Sequence, residues 1–113
     1  MRTLAFVLTV FLLTPPAFAD APDLLGLPKE VQRLRDQWLQ CTAAAAKGHV
    51  RGSRPAATVA DLALQRCRAR EQAMARVLNR QLGAEGAARV VELVRETDRA
   101  NLIRIIEELR AKR

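Results

Sequence analysis

The chain has no tyrosine, one tryptophan, one histidine, one serine and two cysteines among its 113 residues. Its three phenylalanines, Phe6, Phe11 and Phe18, all fall in the first 18 positions, so Trp38 is the sole aromatic of everything that follows. One aromatic makes no stacking platform for single-stranded nucleic acid, and no nucleic-acid-reading motif accompanies it. Ser53 and His49 share one short stretch, so no nucleophile is set against a base from a separate element. A glycine-rich phosphate loop and a His/carboxylate cluster with metal-ligand spacing are also missing. These absences point away from an enzyme, from a cofactor, from a metal and from nucleic acid as a partner. Long hydrophobic runs are missing too: the longest, Leu4 to Leu13, is about half the ~20 residues that a membrane-spanning helix requires.

That short run has another meaning. Arg2 precedes it, Pro15-Pro16 break it, and Ala17-Phe18-Ala19 follow before Asp20. One positive charge, an apolar core and an Ala-x-Ala ending predict a cleaved secretory signal peptide over residues 1–19. A single arginine excludes a twin-arginine signal, and Asp20 in place of cysteine gives no lipid attachment. Arginine far outnumbers lysine and alanine is abundant, as in a GC-rich bacterial genome. The expected location is therefore periplasmic or secreted, in a bacterium, with no stable membrane span after cleavage. Removing residues 1–19 from the 113 leaves 94, enough for one small domain, and losing Arg2 takes the net charge from +7 to +6.

Residues 20–28, with Pro22, Gly26 and Pro28, read as a short lead. Val31, Leu34, Trp38, Cys41 and Ala45 then recur at helical spacing, predicting a helix over about 29–47 with Gly48 as a left-handed stop. Glycine, serine and proline between 48 and 57 mark a loop. Thr58-x-x-Asp61 resembles a shortened capping box, predicting a second helix over about 58–82 that Gly83 ends. A third helix is expected over about 85–112, its stripe being Val91, Val94, Asp98, Leu102, Ile105 and Leu109. With no alternating strand pattern, the fold class is all-α: a small antiparallel three-helix bundle, or a helical hairpin plus a long C-terminal helix, in a single domain over 29–113.

Pairing the stripes sharpens this. Facing residues of antiparallel helices move in opposite directions along the chain. Placing Cys41 opposite Cys67 then brings Val31 to Val77, Leu34 to Met74, Trp38 to Arg70 and Ala45 to Ala63. The Gly83 turn likewise brings Val77 to Val91, Met74 to Val94, Arg70 to Asp98 and Ala63 to Ile105. Both registers match apolar residues, so Cys41 and Cys67 are expected to form an intramolecular disulfide, as two cysteines in an exported domain do. His49 is expected to be a solvated loop residue. Trp38, Arg70 and Asp98 fall at one level with Asn101 a turn away. They form a candidate buried polar layer in which Arg70 stacks on the indole and pairs with Asp98. A register-fixing contact is the simpler role for such a layer, and a ligand pocket the more ambitious one.

Two surfaces compete for function. The second helix carries Arg66, Arg68, Arg70, Arg76 and Arg80 against Glu71 alone, and Arg66, Arg76 and Arg80 are the candidate anion-binding row. The third helix ends in Leu102-Ile103-Arg104-Ile105-Ile106, apolar on more than one side, so Ile103 and Ile106 are either the candidate protein-contact patch or side chains that wrap a core packed from two sides. The leading expectation is a small exported interaction module that binds a protein partner, or itself as a homodimer, through its third helix. The alternatives are binding of anionic envelope material through the arginines and a periplasmic stress chaperone.

Overall fold

The computed structural model describes Gly26 and residues 28–112; the expected signal peptide over 1–19 and most of the lead lie outside the described residues. Three α-helices account for the described chain: α1 Lys29–Lys47, α2 Ala56–Arg66 and α3 Arg68–Ala111, each touching the other two. No strand occurs among the described residues. The fold is all-α, and α3 is itself an antiparallel hairpin, because Gly83 leaves the helical region in its middle (φ 78°, ψ 169°). Its first arm covers 68–82 and its second 84–111.

Local chemistry sets these boundaries. Pro28 stands just before α1, and its carbonyl accepts the Val31 and Gln32 amides. Gly48 does not take the expected left-handed conformation: at φ −62°, ψ −18° it continues the helical trend, and the chain leaves through successive turns. The second helix starts earlier than the capping box predicts. Pro55, already at φ −54°, precedes Ala56 and Ala57, so Thr58 lies inside the helix, and no side chain caps the N-terminus. The same helix breaks at Cys67 (φ −99°, ψ 18°), where α2 stops and α3 begins.

That break carries the covalent link. Cys41 and Cys67 form a disulfide across a Cα–Cα distance of 5.9 Å, joining the middle of α1 to the junction of α2 and α3. Around it lies one apolar cluster, with Val31, Trp38, Met74, Val77, Leu78, Val91 and Val94 among its buried residues. A second cluster, Ala46, Val59, Ala60, Ala63, Leu102 and Ile106, fills the opposite end. Ala45 and Leu64 pack against both. Full burial of a side chain such as Leu78 or Ile106 contributes about 1.5–3 kcal/mol.

The end of α3 therefore does not supply the candidate contact patch. Ile106 is fully buried and Ile103 half-buried, because α2 lies over the last turns and covers both. The candidate contact patch at Ile103 and Ile106 is core, packed from two sides.

Candidate interaction surface

The polar layer forms with different members. Trp38 is fully buried and Asp98 is 5 % exposed. Arg70, however, is exposed and donates to Gln37 Oε1 at 3.2 Å, so it does not pair with Asp98. The break at Cys67 alters the helical phase between the cysteine and Arg70, which a continuous-helix register does not anticipate. Thr42, buried one turn from Trp38, takes the place of Arg70: its hydroxyl donates to Asp98 Oδ2 at 2.9 Å. Burial pushes the Asp98 carboxyl above its ordinary value; the Thr42 hydrogen bond and the charge of Arg35 pull it back. Arg35 and Asp98 line a cleft of about 220 Å³ with Asn101 at its exposed edge. Arg35 Nε and Trp38 Nε1 are buried without an acceptor among the described residues. The layer sits where the two apolar clusters meet, with Val94 before Asp98 and Leu102 after it. Its position suits a contact that fixes register.

The cysteine and histidine stretch also has a definite geometry. The disulfide occupies both thiols, and His49 is exposed in the turn after α1. Among the described residues, no three His, Cys, Asp or Glu side chains come together in a way that could hold a metal. The loop is held from across the fold. Arg110 Nε donates to the Val50 carbonyl at 2.9 Å, and its Nη2 reaches the carbonyls of Gly52 (3.2 Å) and His49 (3.4 Å). This clamp has no periodic signal in the sequence.

Within α2 and α3 the arginines divide into two populations, while Arg33 on α1 and Arg51 and Arg54 in the loop are exposed as well. Every arginine of the second arm of α3 has a partner. Arg89 pairs with Glu85, Arg95 with Glu71 at 2.6 Å and Glu92 at 3.4 Å, Arg99 with Asp61 at 2.8 Å, and Arg104 with Glu108; Arg110 clamps the loop. Hydrogen bonding to Glu71 is the main reason the Arg95 guanidinium is held above its usual range, though burial opposes it. By contrast, Arg66, Arg68, Arg76 and Arg80 are exposed, and none makes an ion pair or side-chain hydrogen bond among the described residues. The expected single row is split: Arg66 lies beside His49 and Cys41, whereas Arg76 borders a different groove between the two arms of α3. Residues 62–84 hold five arginines and one glutamate, while residues 85–112 hold six cations and six carboxylates.

The groove beside Arg76 is open and measures about 620 Å³. Ala75, Ala84, Ala87, Ala88 and Val91 line its apolar part. Small residues let another backbone approach closely. Leu82 and Leu93, the large hydrophobic side chains exposed among the described residues (45 % and 58 %), stand on the two arms of the same hairpin. Among the described residues, no helix is long and apolar enough to cross a membrane. Neither a protein-family model nor any characterised protein or solved structure matches this chain.

Proposed function

We propose that this chain is a small exported module, without catalytic activity, that binds an acidic protein surface through exposed arginines at the end of α2 and on the first arm of α3. The observation that carries this reading is the contrast between the unpaired Arg66, Arg68, Arg76 and Arg80 and the fully partnered arginines of the second arm. Unpaired surface guanidinium groups give the strongest attraction to carboxylates and phosphates, since no internal ion pair has to be broken first. The adjoining groove and the exposed leucines favour a protein partner, which can seat side chains in a concave apolar site. A phosphate-bearing envelope surface is the second reading, favoured by the same arginines and served by charge alone.

Retention on immobilised polyglutamate, read as a function of salt, tests the proposal. Arg66→Gln with Arg76→Gln should lower retention about tenfold or more, whereas Arg89→Gln with Arg104→Gln, an equal change in net charge, should lower it far less. Equal losses from the two double variants would reduce the surface to unspecific basicity. Binding to phosphatidylglycerol vesicles that exceeds binding to polyglutamate would favour the envelope reading.

A further inference from the structure

We infer that the partner of this surface is a second copy of the same chain, whose Glu85 and Glu92 supply the carboxylates, paired hairpin to hairpin through the α3 groove. The inference rests on the arginine reading above and adds the identity of the partner. A two-fold contact requires a patch that complements itself, and the α3 hairpin supplies one. Its first arm presents Arg76 and Arg80, four residues apart on one stripe and free of ion pairs. Its second arm presents Glu85 and Glu92, each paired among the described residues with a local arginine: Glu85 with the exposed Arg89 at 2.9 Å and Glu92 with the half-buried Arg95 at 3.4 Å. Arg95 is already engaged by Glu71 at 2.6 Å, which leaves Glu92 the weaker claim on it.

A two-fold axis parallel to the hairpin sets the first arm of one copy against the second arm of the other. Facing helices then run antiparallel, as in a four-helix bundle. The Glu71–Arg95 pair fixes the level of the two arms. At that level Arg80 faces Glu85 of the second copy, and Arg76 comes within a turn of its Glu92. The alanines of the groove allow close helix contact. Both Gly83 turns lie at the same end of the assembly, so the exposed Leu82 side chains of the two copies approach each other there.

Sedimentation equilibrium on the full mature chain provides the test, with circular dichroism confirming that each variant keeps its helices. The parent should form a dimer that weakens as salt rises. Arg76→Glu with Arg80→Glu should be monomeric, as should Glu85→Arg with Glu92→Arg, and mixing the two variants one to one should restore a dimer. Ala84→Gln, which leaves every charge in place and fills the groove, should weaken dimerisation at least tenfold. A parent that stays monomeric from micromolar to millimolar concentration overturns the inference, and so does a dimer indifferent to either charge reversal. If the monomeric parent still binds polyglutamate through Arg66 and Arg76, self-pairing alone fails; loss of that binding as well removes the arginine reading with it.

Discussion

Asp98 and Glu71 are both buried carboxylates, but they are satisfied in different ways. Glu71 has the Arg95 guanidinium at 2.6 Å, whereas Asp98 has the Thr42 hydroxyl. The burial that raises the Asp98 pKa above the usual ~3.9 means that the folded protein still binds a proton the unfolded chain has released. Stability from this carboxyl is complete below the ordinary value and is lost as pH rises through the shifted one. Asp98→Asn keeps an oxygen acceptor for Thr42 and deletes the buried charge. The variant should exceed the parent in stability at pH 7, by about 1.4 kcal/mol for each pH unit of the shift, and the gap should close toward about pH 3–4. Urea midpoints measured across that range decide the matter, and identical midpoints throughout would show that Thr42 and Arg35 fully offset the burial. Gly83 is the other residue with a sharp requirement. Its φ of 78° and ψ of 169° belong to a region that only glycine occupies readily, although a side chain there would meet nothing within 4 Å. Gly83→Ala should therefore lower stability by roughly 1–3 kcal/mol through backbone strain alone. A thermal scan showing no loss would mean that the turn re-forms in another conformation.

Between elements, the disulfide sits where the helical path fails. Cys67 ends α2 and precedes α3, so the bond to Cys41 holds a junction that lacks continuous helical hydrogen bonding. Replacing both cysteines with alanine should cost about 3 kcal/mol in the chain-entropy account. For a domain of this size, that is a fall in Tm of roughly 12–24 °C. A calorimetric change of only a few degrees would show that the packing of Trp38 and Met74 holds the junction unaided. The disulfide and the Gly83 turn were legible in the sequence because each follows from pairing long apolar stripes, a signal accumulated over many residues. The Cys67 break was not legible, since Gln65-Arg66-Cys67-Arg68 contains no glycine or proline to mark it. Its consequence appears in the ion pairs. From Asp61 to Glu71 the chain advances ten residues, while their partners Arg99 and Arg95 lie only four apart. At 1.5 Å per residue a straight helix cannot keep both pairings in one register; the break and the reach of the arginines take up the difference. Past the break, the expected match of Ala63 with Ile105 gives way to burial of Leu102 and Ile106, and Arg70 is freed from the polar layer. Thr42 escaped notice for a related reason: α1 packs against both other helices, so its buried face is wider than the one stripe that periodicity picks out.

At the scale of the whole molecule, the two apolar clusters are unequal. The one at the α3 hairpin contains Trp38, Met74 and Leu78 and is bounded by the disulfide. The one at the far end rests on three alanines with Val59, Leu102 and Ile106, and Arg110 ties down its loop through the carbonyls of Val50, Gly52 and His49. Fewer buried methylene groups and a half-buried clamp make the far end the part that opens first, since local stability follows local burial. Amide exchange should therefore proceed through a lower-energy opening over 56–66 and the last turns of α3 than over 71–94. Arg110→Ala should speed exchange in the 48–55 loop and in α2 while leaving the hairpin amides unchanged. Uniform exchange across all three helices, responding together to Arg110→Ala, would instead mean that the Thr42–Asp98 contact couples the clusters into one cooperative unit. Unlike Arg66, the last residue of α2, the Arg76 and Arg80 part of the arginine surface lies at the protected end. Its geometry would then persist during partial opening, so anion binding through Arg76 and Arg80 should survive Arg110→Ala even as the far end loosens.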